Sequence, residues 1–407
     1  MAIVLAFSGG LDTSFCVPYL AETFDEPIYT VTVNTGGLSE KEAQGVEARA
    51  RALGAARHIL VDARKALFDD HLSYLIKGNV LRGGVYPLCV GPERVTQARM
   101  VVHAAQQTGA RAIAHGSTGA GNDQVRFDVA VRLLADDMDI LTPIRSLGLS
   151  REKTTAFLQE RGFDVPRKTT VWSINRGLWG TTIGGGETLT SANPLPEEGW
   201  VDTVAPASAP DAGQEWVIGF EKGLPVSINE SLLDPVTLIE TLNTEGAAHG
   251  VGRGMHVGDT ILGVKGRVAF EAPAPAILLS AHRELEKIVL TNRQRFQKDH
   301  LADYYGQMLH EGQYFDPVMR DIEALIDSSQ TVVTGTVRVK ARQGCIEVPG
   351  CESPYSMFDP RVAVYGETNA LWDGRDAEGF TQIYGVQALL AHRARRNAEN
   401  APKESPA

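Results

Sequence analysis

Residues 8–14, Ser8-Gly9-Gly10-Leu11-Asp12-Thr13-Ser14, place two glycines, three hydroxyls and one carboxylate between an apolar run at 2–7 and a helical stretch at 12–23. Glycine lets backbone approach a phosphate closely, and the free N–H groups at a helix start point at the anion. No Gly-Lys-Ser/Thr is present, so this is not a Walker loop built around a lysine. A second Gly-rich segment follows the apolar residues 112–114: His115-Gly116-Ser117-Thr118-Gly119-Ala120-Gly121-Asn122-Asp123-Gln124-Val125-Arg126-Phe127. Asn122 and Arg126 are spaced i, i+4 and share a helix face. Thr118 and first-turn amides suit a carboxylate, and Asp123 suits an ammonium group. Together they fit a small zwitterion. The structural alternative is a plain βα turn with Asn122 as N-cap and Arg126 on the surface; His115 takes no role.

Five short strands, at 2–7, 28–33, 58–61, 112–114 and 140–141, alternate with helices. Ser39 and Glu42 have the spacing of a capping box for one of these helices. This pattern predicts a doubly wound parallel sheet, which binds ligands beyond the C-terminal ends of its strands. After Pro166 the texture changes. Residues 175–214 are rich in Gly, Thr, Pro and Ala with few regular signals. Strands are expected at 214–220, 260–265, 276–280 and 332–340, and helices at 235–242 and 280–289, giving an α+β second domain. An amphipathic helix is expected at 381–396, with Ile383, Val386, Leu389 and Leu390 on one side as an intrachain or oligomer contact. The expected divisions are 1–165, 166–375 and 376–407, with a disordered tail at 401–407.

The 407 residues are 43% hydrophobic and 22% charged, with 39 Lys plus Arg against 50 Asp plus Glu and a formal charge of −11. That balance argues against nucleic acid as the main partner. No run approaches the roughly 20 apolar residues of a membrane span, and no basic leader opens the sequence. Cys16, Cys89, Cys345 and Cys351 form no CxxC pair, which fits a reducing compartment. The expectation is a cytoplasmic globular protein without nucleic-acid or membrane partners.

The first loop resembles the Ser-Gly-Gly-x-Asp-Ser/Thr signature of the PP-loop ATP pyrophosphatases, which cleave ATP between the α and β phosphates. No glutaminase segment precedes the loop and no cysteine pairs accompany it, so a free amine is the expected nucleophile. With the second loop, the chain is similar to the argininosuccinate synthases, whose hallmarks are A-[FY]-S-G-G-L-D-T-S and H-G-x-T-G-x-G-N-D-Q-V-R-F. The likeness continues through residues 249–253, Lys265, Arg267, 333–338, 353–356 and 376–380.

The resemblance implies an α/β fold: an N-terminal PP-loop sheet of the adenine nucleotide α-hydrolase type, an α+β synthetase domain and a C-terminal helix. It implies an AMP-forming ligase. Citrulline's ureido oxygen attacks the α-phosphorus, Mg²⁺-pyrophosphate leaves, and the amine of aspartate displaces AMP. Carried over by position, Ala6, Phe7, Ser8, Gly9, Gly10, Leu11, Asp12, Thr13, Ser14, Val33 and Gly116 hold ATP. Thr118, Asn122 and Asp123 hold aspartate. Tyr86, Gly91, Asn122, Arg126, Ser173, Thr182, Gly258 and Phe270 face the acceptor, and Asp12 and Arg126 are the catalytic candidates. Mg²⁺ accompanies ATP and pyrophosphate, its protein ligands unassigned. A homo-oligomer, a tetramer by family resemblance, is expected.

The departures from the family pattern share a direction. Its Y-P-L-G-T-S is Tyr86-Pro87-Leu88-Cys89-Val90-Gly91 here, without the threonine and the serine. Its Y-S-x-D-x-N-L-W-G-R-S-I-E runs from Trp172 to Gly184, keeping Ser173, with Thr182 for serine and without two acidic residues and an Asn. A glutamate position falls at Gly258 and a tyrosine position at Phe270. Each change removes a polar partner from the acceptor end, where an unpaired buried group costs about 1–3 kcal/mol. The leading expectation is aspartate ligation to a ureido or amide-like acceptor other than citrulline. The alternatives are an ordinary synthase of arginine biosynthesis whose other side chains compensate, or a catalytically silent nucleotide-binding regulator.

Overall fold

The computed structural model describes residues 1–165, 171–367 and 370–400. The expected tail at 401–407 and the start of the second expected domain at 166–170 lie outside them. Strands β1 (Ile3–Ala6), β2 (Ile28–Asn34), β3 (Arg57–Asp62), β4 (Ala112–Ala114) and β5 (Asp139–Leu141) form one parallel sheet in the order β3-β2-β1-β4-β5. β1 is central, and its side chains alternate between two cores. Ile3 and Leu5 pack with Phe15, Val17 and Leu20 of the helix Leu11–Phe24. Val4 packs on the other face with Val101, Val102 and Ala105 of the helix Gly91–Thr108. Strand addition reverses between β1 and β4, so the crevice beyond their C-terminal ends lies at the switch point of the sheet. Both Gly-rich loops open there. The Ser39–Glu42 capping box is formed as the spacing predicts.

Among the described residues nine further strands follow: β6 (Trp172–Gly177), β7 (Gly180–Gly185), β8 (Gln214–Glu221), β9 (Leu224–Ile228), β10 (Ser231–Leu232), β11 (Arg253–Asp259), β12 (Lys265–Glu271), β13 (Gly335–Arg342) and β14 (Cys345–Glu352). They build a four-stranded sheet, β11-β12-β7-β6, and a five-stranded sheet, β10-β9-β8-β13-β14. The hairpin of β6 and β7 falls in the Gly- and Thr-rich stretch that carried few regular signals. Residues 260–264 are the tip of the β11–β12 hairpin rather than a strand, and Lys265 opens β12: Thr260 N donates to Val264 O at 2.8 Å, and Leu262 and Val264 are exposed. Residues 276–280 belong to the helix Pro273–Val289, because a short apolar run reads alike in a buried strand and a buried helix.

The chain divides into two compact units, Met1–Tyr355 and Ser356–Ala407. In the second, the single helix expected at 381–396 is two, Gly374–Tyr384 and Val386–Glu399, parted at Gly385. No described helix is long and apolar enough to cross a membrane.

Candidate active site

A cavity of about 820 Å³ opens beyond β1, β2 and β4. Ala6, Phe7, Ser8, Gly10, Leu11, Asp12, Thr13, Val33 and Gly116 line it, with Thr118, Asn122, Asp123, Arg126 and Ser173. Gly9 and Ser14 lie behind the wall. Gly9 turns the loop at φ +75°, a left-handed conformation that other L-residues adopt only at a cost. Ser14 is fully buried, and its hydroxyl accepts from Arg49 Nε at 2.7 Å and donates to Gly9 O, so it braces the loop.

The loop is held open by its own hydroxyls. Gly10 N donates to Ser8 Oγ at 3.3 Å, and Ser8 Oγ lies 3.2 Å from Thr13 Oγ1. No side chain caps the following helix, which leaves first-turn N–H groups for an anion. Burial pushes the Asp12 carboxyl up, with Arg151 opposing. The second loop lies against the first: a Cβ on Gly116 would stand 3.1 Å from Thr13 Cγ2 and 3.2 Å from Thr13 N. The two loops therefore share one cavity.

Asp123 is the charge centre of the other wall. Arg94 Nε donates to its Oδ2 at 2.9 Å and Arg126 Nη1 to its Oδ1 at 3.1 Å. Burial works to raise Asp123, but these two guanidinium groups outweigh it and hold the carboxyl below its usual range. Arg126 is 5% exposed and is fixed from behind by the carbonyl of His310 at 2.9 Å, so it is not the surface residue of the plain-turn reading. Asn122 occupies the N-cap position without capping; its Oδ1 accepts instead from Ile261 N in the hairpin tip at 2.9 Å. His115 is a satisfied core histidine, paired with Asp128 at 2.8 Å.

The remaining acceptor candidates are assembled by strand register. On β6, Ser173 and Asn175 alternate to one side; Asn175 faces Thr182 on β7, Thr182 faces Phe270 on β12, and Phe270 faces Gly254 on β11. Gly258, four residues along β11, points to the same side. Ser173, Thr182, Phe270 and Gly258 therefore share one sheet face. Tyr86 packs against that face, its ring 5.3 Å from Phe270 and 5.5 Å from His256. Burial pushes the Tyr86 phenol upward. A Cβ on Gly91 would stand 3.6 Å from Arg126 Nη2. Of the acceptor candidates, Asn122, Arg126 and Ser173 line the cavity; Tyr86, Gly91, Thr182, Gly258 and Phe270 lie outside its walls.

Sequence reading missed Arg94 and Gln97. Arg94 Nη1 donates to Gln97 Oε1 at 3.0 Å, and Arg94 bridges Asp123 on the second loop to Asn175 on β6. The signal was present: Val90, Arg94, Gln97 and Val101 recur at helical spacing and all line the cavity.

Residues 2–164 match the model described as "Arginosuccinate synthase N-terminal HUP domain", and residues 172–391 match "Arginosuccinate synthase C-terminal domain". Proteins named argininosuccinate synthase are similar along nearly the full length. The one from Crocosphaera subtropica is 39% identical over 386 residues, 94% of this chain and 96% of that one. The one from Methanocaldococcus jannaschii is 38% identical over 95% of this chain and 97% of its own, and that from Xanthomonas campestris pv. campestris 40% over the same shares.

Proposed function

The chain belongs to the argininosuccinate synthase family, and on that premise we propose that it joins L-aspartate, through its amine, to an adenylated ureido carbon. The family's members are ATP-dependent ligases that form a carbon–nitrogen bond. Contact between Gly116 and Thr13 carries this reading, because it gives the phosphate loop and the amino-acid loop one cavity. In the proposed sequence, amides and hydroxyls of residues 8–14 hold the pyrophosphate end of ATP. The ureido oxygen forms a bond to the α-phosphorus as the bond to pyrophosphate breaks. The amine of aspartate, positioned by Thr118, Asn122 and Asp123, then attacks the ureido carbon, loses a proton and expels AMP. Arg126 faces the reacting carbonyl, where a fixed positive charge favours the charge that develops on oxygen.

Among the described residues no cluster of three His, Cys, Asp or Glu side chains stands ready for a metal. A Mg²⁺ carried on phosphate oxygens would have Asp12, which lines the cavity, as the loop's carboxylate nearby. Residues 1–165 would act as the nucleotide-binding part and 166–375 as the synthetase part. A cytoplasmic homo-oligomer, a tetramer by family resemblance, is the proposed assembly; Phe380, Ile383 and Leu390 are exposed on the terminal helices, as such a contact needs.

The family resemblance makes citrulline the reference acceptor, as in arginine biosynthesis. A second reading has a specific observation behind it. Gly258 and Phe270, which lack the family's carboxylate and phenol, share a sheet face with Ser173 and Thr182. Loss of polar groups from one shared sheet face favours an acceptor whose remaining structure differs from citrulline. Pyrophosphate release with ATP and aspartate, acceptor varied, tests both readings. Oxygen-18 from the acceptor carbonyl is expected in AMP; ADP and phosphate as products would overturn the ligase proposal.

A further inference from the structure

We infer that the acceptor carries an anionic group, and no ammonium group, at the end remote from the carbonyl that is adenylated. The inference rests on the second reading above and names the substrate class it requires. It comes from what surrounds Gly258. A Cβ there would stand 2.5 Å from His256 Nε2 and 3.0 Å from Arg82 Nη1, so an imidazole and a guanidinium occupy the region where the family pattern places a carboxylate. His256 is 7% exposed, stacks on Tyr86 with the ring planes 17° apart, and its Nε2 has no hydrogen-bond partner.

His310 adds a donor beside the Arg82 guanidinium. Its Nδ1 lies 3.1 Å from Arg126 Nη2, and a guanidinium only donates, so Nδ1 accepts and the ring proton sits on Nε2. That Nε2 is buried without a hydrogen-bond partner. The carbonyl of Asp259, whose influence on His310 is to raise it, also accepts from Arg82 Nη2 at 2.7 Å. Burial, then Arg126, Arg82 and His256, press the His310 imidazole down to about 3, which keeps it neutral and keeps Nδ1 an acceptor.

The local carboxylates are already engaged. Asp123 is shared by Arg94 and Arg126, and Asp259 pairs with Lys265 at 2.6 Å. Among the described residues no carboxylate lies within ion-pair distance of Arg82. An ammonium group brought here meets donors and like charge. A carboxylate pairs with Arg82 and accepts from the His310 Nε2–H, and charge-assisted bonds of this kind are the strong ones.

The test uses the full-length protein with ATP and aspartate, reading pyrophosphate and AMP, and three acceptors: citrulline, its desamino analogue and its decarboxy analogue. The desamino analogue should exceed citrulline in kcat/KM by about tenfold or more, a difference of about 1.4 kcal/mol. The decarboxy analogue should give no turnover. Arg82→Gln should raise KM for the desamino analogue with kcat little changed, and Arg82→Lys should restore most of the loss. A melting temperature for each variant within a few degrees of the parent's separates recognition from folding. Citrulline matching the desamino analogue, or the decarboxy analogue winning, overturns the inference and leaves the ligase intact. A panel in which every ureido compound is inert overturns both.

Discussion

Glu93 gives the sharpest physical prediction. It lies on the helix Gly91–Thr108, 1% exposed; Oε2 accepts from Thr35 Oγ1 at 3.2 Å and Oε1 has no partner. Its carboxyl fills the space that any side chain at position 177 would need, so Gly177 and Glu93 are complementary. Burial pushes Glu93 up to about 8, with Arg94 and Thr35 opposing. The native protein therefore holds a proton that the unfolded chain releases near 4.5. Between those values the native state binds more protons, so unfolding free energy falls as pH rises, by about 1.4 kcal/mol per pH unit. The contribution is fully present below about 4.5 and is gone above about 8, a swing of several kcal/mol. Glu93→Gln keeps the shape and removes the linkage. Urea unfolding followed by the fluorescence of buried Trp179 and Trp216, from pH 5 to 9, should show the variant gaining on the parent with rising pH and levelling off above 8. A burial penalty for the new amide offsets the whole curve without changing its slope. Parallel curves, or a parent that gains on the variant as pH rises, would refute the reasoning.

Three further outcomes follow from the site. Asp123→Ala should raise the apparent KM for aspartate by about tenfold or more while leaving that for ATP nearly unchanged; equal rises in both would place Asp123 outside the amino-acid site. Gly9→Ala imposes a φ of +75° on a residue with a side chain and sets its Cβ 3.2 Å from Val46 Cγ2, so nucleotide affinity should drop by about tenfold, the equivalent of 1–2 kcal/mol of backbone strain. Titration calorimetry showing unchanged affinity would contradict it. Gly91→Ser with Phe270→Tyr should improve citrulline turnover, since the serine has room beside Arg126, whereas Gly258→Glu needs His256→Ala as well because the imidazole crowds that position. An unmodified protein with a citrulline KM at or below about 1 mM would restore the ordinary synthase.

The two Gly-rich loops that line the cavity were legible in the sequence because they are local. Ser8–Gly10 and Gly116 act within a few residues of the strands that carry them, and the switch point follows from alternating strands and helices. Strand pairing is not local. Nothing in the spacing of Ser173, Thr182, Gly258 and Phe270 says that one sheet face joins them; registers fixed by hydrogen bonds across four strands do that. The hairpin of β6 and β7 was hidden for a related reason, since Gly-rich strands derive their order from neighbours rather than from intrinsic preference. His256 and His310 stayed invisible because a lone histidine has no signature until its partners, Tyr86 and Arg126, are folded against it. The parting of the terminal helix at Gly385 was readable in principle from the glycine itself.

The two sides of the four-stranded sheet answer to different pressures. Ile174, Ile183, Ala269 and Met255 stand in register on the side away from Thr182 and Phe270 and pack with Leu195 and Trp200. Because neighbours along a strand point opposite ways, Thr182, Gly258 and Phe270 can change without disturbing those packed side chains, and none of them lines the nucleotide loops. These positions are not equally free to change, since Phe270 is itself buried against Tyr86, whereas Gly258 carries no side chain to lose. A library restricted to Thr182, His256 and Gly258 would vary that face while leaving Asn175, which accepts from Arg94, and the Arg94–Asp123 pair in place.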